Sequence, residues 1–202
     1  MEQKEWAAGF ILVGGESKRM GEDKALLLLD GRPLLCNLIE KLRPHVAEVA
    51  LIGPPARYAG FGVSLIEESS PGRGPLPALC AGLAWSARRW NLFLACDLPL
   101  LHGDFLAFLL RAAFASRAQA VIPQTADGWQ PLCAVYHREA LSKMERLEEK
   151  DAGIIEALGQ LQVEVLTPER WRGAGFSERM FKNMNTPADR EEIARDLERN
   201  KR

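Results

Sequence analysis

The sequence predicts an α/β protein with a mostly parallel sheet covered by helices on both faces. Short apolar runs alternate with helical patterns, and four of those runs are near-continuous Val, Ile, Leu, Phe and Ala stretches of the kind buried on both faces. The chain has 202 residues, 47% hydrophobic and 26% charged, so it can bury a core without metal or disulfide staples. We read it as one domain, 1–202.

The elements follow in order. Residues 9–13 form a first buried strand. Leu34, Leu35, Leu38, Ile39 and Leu42 fall on one helical face, and Pro44 ends that helix. Residues 49–52 and 63–66 give the second and third strands. A Gly/Pro-rich loop, 69–77, leads into a helix running to about Arg88. Residues 92–96 are a fourth strand, followed by an apolar helix over 104–114 and a fifth strand at 120–123. Beyond it come a strand at 131–136, helices near 139–149 and 153–161, and a strand at 163–166. Thr186-Pro187-Ala188-Asp189 starts the last helix: Thr caps, Pro takes the first helical position, and Asp favours the positive helix end. The run 146–151 reads as a solvated helix face.

Composition narrows the function. The net charge of −1 gives no global basic field for nucleic acid, although a local cationic site is allowed. Cys36, Cys80, Cys96 and Cys133 are far apart, which suits core thiols in a reducing compartment rather than a zinc or redox framework. No window approaches the ~18 continuous apolar residues of a membrane span. A cytoplasmic protein without membrane or nucleic-acid partners is expected.

In parallel sheets of this kind ligands bind outside the carboxyl ends of the strands, so the loops after Val13, Ile66 and Cys96 carry the chemistry. The first reads Leu12-Val13-Gly14-Gly15-Glu16-Ser17-Lys18-Arg19-Met20-Gly21-Glu22-Asp23-Lys24. Its glycines let backbone N–H groups approach a ligand, and Lys18, Arg19 and Lys24 suit a multiply charged anion. It is neither G-x-G-x-x-G nor a P-loop. In Cys96-Asp97-Leu98-Pro99-Leu100 a carboxylate stands directly after a buried strand, placed either to hold Mg²⁺ or to cap a helix. Pro71-Gly72-Arg73-Gly74-Pro75-Leu76 is a stiff loop at a helix start. Asn183-Met184-Asn185-Thr186-Pro187 supplies two amides, suited to a heterocycle edge, a metal-bound water, or simply a turn. His45, His102 and His137 lie outside all four stretches.

Taken together and in this order, L-x-G-G-x-S-x-R-M-G-x-D-K, G-P-L, C-D-x-P-x-L, Q-P-L and N-x-N-T-P resemble the molybdenum cofactor guanylyltransferase (MobA) family, within the GT-A type nucleotidyltransferases. The resemblance runs from about Gly9 to Leu197. It implies a Rossmann-like three-layer α/β/α fold with a nucleotide-binding half at about 9–123 and an acceptor-binding half at about 124–202. It also implies a transferase that joins GMP from GTP to molybdopterin with release of pyrophosphate and uses Mg²⁺. By motif, Leu12, Val13, Gly14, Gly15, Lys24, Glu68 and Asp97 would hold the nucleotide. Arg19, Lys24 and Asp97 would be catalytic, with Asp97 the metal ligand. Gln130, Asn183 and Asn185 would face the acceptor, and transient contact with cofactor-inserting proteins is a further implication.

The chain departs from the family pattern in four places. Val13 stands for the usual Ala. Ile52-Gly53-Pro54 offers no Asn. Glu67-Glu68 replaces an Asp, and Gly74-Pro75-Leu76-Pro77-Ala78 replaces G-P-L-A-G. Three rivals stay open: a cytidylyltransferase for the same cofactor, which typically has Ala-Ala-Gly at 13–15, a sugar-phosphate nucleotidyltransferase, and a non-catalytic GTP- or cofactor-binding module. Trp129 either stacks on the flat pterin or anchors a hairpin tip.

Overall fold

The computed structural model describes residues 3–14, 23–29, 31–68 and 70–199. Its core is one mixed sheet built from β1 (Ala7–Leu12), β4 (Glu48–Ile52), β5 (Ser64–Ile66), β6 (Trp90–Ala95), β7 (Ala120–Thr125), β9 (Cys133–His137) and β10 (Val163–Leu166), with β8 (Gly128–Trp129) attached to β7. A separate small ribbon pairs β2 (Leu28–Leu29) with β3 (Arg32–Pro33). The main order is β10-β7-β9-β6-β1-β4-β5. β6, β1, β4 and β5 are mutually parallel, β10 is parallel to β7, and β9 runs antiparallel between β6 and β7.

Alternation along the strands explains the layers. Ile11, Leu51, Leu92, Leu94, Val121 and Val135 face one way, into a core with α1 (Leu34–Leu42), α4 (Gly103–Ala115), α7 (Pro168–Gly173) and α8 (Pro187–Arg199). Phe10, Ala50, Ile52, Phe93, Ala134 and Tyr136 face the other way, against α3 (Leu76–Trp85), α5 (Leu141–Glu148) and α6 (Ile154–Leu158). Neighbouring residues belong to opposite cores because the side-chain period of a strand is two. The helical stripe expected from 34 to 42 is the buried face of α1, and all five of its residues are covered.

The boundaries differ in places. α3 stops at Trp85, not Arg88, because Ser86 takes an extended backbone and its hydroxyl accepts from the Arg88 N–H. The expected strand at 131–136 starts at Cys133, since Pro131 cannot donate to a ladder. The charged run at 146–151 is the solvated face expected, with Arg146, Glu149, Lys150 and Asp151 exposed. Asp151 adopts a left-handed φ of 61° after α5 ends, and its carboxylate pairs with Arg73 at 2.6 Å. Gly82 lets α3 lie close on the sheet, since a Cβ there would sit 2.6 Å from the Phe93 ring.

Candidate active site

The site forms where β1 and β6 end side by side. From β1 the chain proceeds to β4 and β5 on one flank, and to β6 on the other. The crevice between the ends of β1 and β6 is therefore the topological switch point, where open α/β sheets bind ligands. The Cys96 N–H donates to the Leu12 carbonyl at 3.3 Å across that point, and Asp97 follows at once.

On the β4 side, the Val13 N–H donates to the Ile52 carbonyl at 2.9 Å, and the Gly53 N–H to the Ile66 carbonyl at 3.0 Å. Gly14 turns with φ +88°, and a Cβ there would stand 2.5 Å from the Pro54 ring. A Cβ on Gly53 would stand 2.3 Å from the Val13 carbonyl oxygen. The Gly53-Pro54 step is thus a packing partner of the Val13-Gly14 turn, which accounts physically for the missing Asn. Glu68, half-buried nearby in sequence, has its carboxyl pushed up by burial. Gly15 and Arg19 lie outside the described residues.

Lys24 sits in a short 3₁₀ helix, Lys24–Leu26, capped by Asp23, whose Oδ1 accepts from the Ala25 N–H at 3.1 Å. The other carboxylate oxygen accepts from the Tyr58 hydroxyl at 2.5 Å and from Arg57 at 3.4 Å. Tyr58 closes α2 (Pro55–Tyr58) and is 1% exposed. Burial and the hydrogen bond to Asp23 both push its phenol pKa up, so it stays a donor. The sequence assigns no role to Tyr58 and carries Asp23 only as a letter of the first motif. The available signal was an Asp directly before a short apolar run, the pattern of a capping residue.

Held this way, the Lys24 ammonium donates to the Asn185 Oδ1 at 2.5 Å and lies 3.8 Å from the Asp97 carboxylate. The Met184 N–H donates to the Asp97 backbone carbonyl at 2.9 Å, and the Met184 side chain is fully buried. The turn is then fixed by Asp189, whose Oδ2 accepts from the N–H groups of Asn185 at 3.0 Å and Thr186 at 2.8 Å. The Thr186 hydroxyl accepts from the Asp189 N–H at 3.2 Å, which makes it the expected cap. Three stretches far apart in sequence, around Lys24, Asp97 and Asn185, meet in one cluster.

Two predicted acceptor residues lie outside this cluster. Asn183 is exposed, outside the Lys24 cluster. Gln130 donates its side-chain amide to the Thr125 hydroxyl at 2.9 Å and its backbone N–H to the Pro123 carbonyl at 2.8 Å, bracing the β7–β8 hairpin. Trp129 pairs with Gln124 in that hairpin and packs half-buried on the core, the anchoring alternative.

Electrostatically, Asp97 is the pivotal group. Burial raises its carboxyl pKa, and the Lys24 charge pulls it back. Among the described residues no group of three or more His, Cys, Asp or Glu could cage an ion. One buried carboxylate beside an amide oxygen nevertheless suits Mg²⁺, which takes one or two carboxylates and completes its shell with water and substrate phosphate.

Comparison with known proteins agrees with this geometry. Residues 9–165 match the family model of the MobA-like NTP transferase domain. The chain belongs to that family. A probable molybdenum cofactor guanylyltransferase from Deinococcus radiodurans is 35% identical over 188 residues, covering 91% of this chain and 92% of its own. A probable molybdenum cofactor guanylyltransferase from Nostoc sp. is 34% identical over 192 residues, covering 89% and 86%. The crystal structure of molybdopterin-guanine dinucleotide biosynthesis protein A from Archaeoglobus fulgidus superposes with a TM-score of 0.83 at 24% identity, covering 95% of this chain and 99% of that one. That likeness fixes the GT-A type three-layer fold, and the family makes this chain a nucleotidyltransferase.

Proposed function

We propose that the protein transfers GMP from GTP to molybdopterin, forming molybdopterin guanine dinucleotide and releasing pyrophosphate. The observation that carries the reading is the cluster of Lys24, Asp97 and Asn185 at the switch point, beside a glycine turn at Val13-Gly14. Cation, carboxylate, amide and a glycine turn at one strand edge are the elements a triphosphate and its counter-ion require.

The whole chain acts as one nucleotidyltransferase unit, with residues 9–123 taking the nucleotide and 124–202 the acceptor. Leu12, Val13, Gly14 and Gly15 hold the nucleotide through backbone, and Glu68 borders the base. Asp97, with Asn185 beside it, would hold Mg²⁺, which when bound supplies Lewis-acid charge neutralisation at the phosphates. The acceptor phosphate needs no strong base, because its second pKa is about 6. Lys24 then neutralises charge at the α-phosphate, and Arg19 takes the leaving pyrophosphate. The Asp23–Tyr58 contact keeps Lys24 in register, so alignment is supplied before the substrate arrives. Asn185 and Asn183 serve the pterin side, with Gln130 shaping that wall through its hairpin. Four free cysteines and the lack, among the described residues, of a helix long and apolar enough to cross a membrane support a cytoplasmic setting.

The test is pyrophosphate release with Mg²⁺, molybdopterin and each of GTP, CTP, ATP and UTP. Release with GTP supports the reading. Release with CTP alone selects a cytidylyltransferase, and no release with any selects a binding module. Asp97→Ala should abolish turnover with the fold intact, and Arg19→Ala should lose ~10²-fold or more. An Arg19 variant within threefold of wild type would remove that residue from the leaving-group role.

A further inference from the structure

A second concave surface lies at the opposite end of the sheet. It is a cavity of about 770 Å³ bounded by the start of β6 at Trp90, the end of β9 at His137, and the residues leading into β7 and β10. That volume falls in the range of small-molecule sites, roughly 300–1,000 Å³. Its lining holds four permanent or near-permanent cations, Arg89, Arg117, Arg138 and Lys143, against one carboxylate, Glu139. The chain as a whole carries −1, so this concentration of positive charge is local.

The cations are positioned unevenly, and the unevenness is informative. Arg89 donates its Nε–H to His137 Nε2 at 3.0 Å, which orients the guanidinium by its inner nitrogen. The terminal fork, the part that recognises phosphate in bidentate fashion, has no partner among the described residues. Lys143 donates to Gln119 Oε1 at 2.9 Å and to the Gln160 carbonyl at 3.2 Å, which leaves one of its three donors. The side chains of Arg117 and Arg138 make no hydrogen bond or ion pair among the described residues. Glu139 is 80% exposed and stands 3.6 Å from His137 Nδ1, and Glu164, bonded to Ser116 on the rim, is paired with Arg170. His137 lies edge-on to Trp90; burial lowers its pKa, with Glu139 raising it and Arg89 lowering it. Its Nδ1 stands 3.3 Å from the Glu139 backbone nitrogen, and the ring aims Arg89 in the tautomer whose Nε2 is bare.

We propose that this cavity is a second, independent binding site for a small ligand carrying two or more phosphate groups. Size favours a small molecule over a macromolecule. Besides His137, the one aromatic ring among the described residues of its lining is Trp90, which is 2% exposed and offers no stacking face to a nucleic-acid base. The site lies at the amino ends of the parallel strands, away from the Lys24 cluster, and stands whether or not that cluster transfers nucleotide.

The test is calorimetric titration of the full chain with inorganic pyrophosphate, without divalent metal, on wild type, Arg89→Gln/Arg138→Gln, Arg117→Gln and Lys24→Gln. A saturable signal should persist in Lys24→Gln and weaken by about tenfold for each guanidinium removed. Circular dichroism should show both arginine variants folded, since the side chains of Arg89, Arg117 and Arg138 are all exposed. Nucleotidyl transfer should be unchanged in them at low pyrophosphate. Equal binding in the double variant, loss in Lys24→Gln alone, or no saturable binding at all would overturn the proposal. Tighter binding of hexaglutamate or of a short oligonucleotide than of pyrophosphate would overturn it too.

Discussion

Replacing Lys24 with Met removes the only cation bonded to the Asp97 side chain among the described residues, and keeps the apolar length of the side chain. The two side chains are 18% and 21% exposed, so the pair is mostly withdrawn from water. At 3.8 Å and an effective dielectric of about 20, the attraction is about 4 kcal/mol. Desolvation of both ions offsets much of it, and residual solvent contact screens the rest, so a net loss of about 1–3 kcal/mol is expected at neutral pH. The sign with pH follows from Asp97. Its folded pKa lies above the usual 3.8 because burial outweighs Lys24. The folded state therefore binds the proton more readily, and stability falls as pH rises from 3.8 through the folded pKa, then levels off. Without Lys24 that pKa rises further, so the penalty should be full at pH 7 and shrink on acidification. Urea unfolding at pH 7 and below, on Lys24→Met, Asp97→Asn and the double variant, reads this directly. The double variant should recover most of the stability Lys24→Met loses, because the stranded carboxylate is gone. If Lys24→Met and the double variant were equally unstable, or the loss were independent of pH, the pairing argument would fail.

Other perturbations follow from the same geometry. Gly14→Ala puts a Cβ 2.5 Å from the rigid Pro54 ring at φ +88°. Backbone strain alone costs ~1–2 kcal/mol, a fall in Tm of about 2–8 °C by differential scanning calorimetry; an unchanged Tm would mean the turn relaxes freely. Tyr58→Phe strips the hydroxyl from Asp23 and should cost about 1–2 kcal/mol in urea unfolding while raising KM for the nucleotide. Unaltered KM would separate the cap from the site. Burial pushes the Cys96 thiol up to about 12 and raises those of Cys80 and Cys133 as well. Iodoacetamide at pH 8 should therefore label Cys36 ahead of the other three, and peptide mapping that found Cys96 labelled as fast would contradict its raised thiol.

Much of this molecule was legible because its signals are local. The apolar runs that become β1, β4, β6 and β7 needed only their composition, and α1 only its spacing. The cap of α8 could be read from Thr186-Pro187-Ala188-Asp189 alone, and its hydrogen bonds are those expected. Asp97 stands out because a charge directly after a buried strand is conspicuous. What escaped the sequence was everything fixed by partners distant in the chain. β9 runs antiparallel inside the parallel array, and no feature of Cys133–His137 marks strand direction. Gln130 reads as an acceptor-side residue, and only the fold shows that its amide donates to Thr125.

The same distinction explains the most informative substitution in the chain. By the family pattern, Ile52-Gly53-Pro54 lacks a recognition amide and looks like a loss of function at the base. In three dimensions Gly53 and Pro54 are the surface on which the Val13-Gly14 turn rests, with no room for a Cβ at either glycine. A side chain at position 53 would displace the turn before it could reach a base. In the proposed function, base selection falls to backbone at 12–14 and to Glu68. Since the Glu68 carboxyl is biased toward its protonated form by burial, nucleotide preference should sharpen or blur with pH in a way that Glu68→Gln abolishes. Ratios of kcat/KM for GTP over CTP between pH 5 and 8 measure it, and a ratio equally pH-dependent in the variant would move base selection elsewhere.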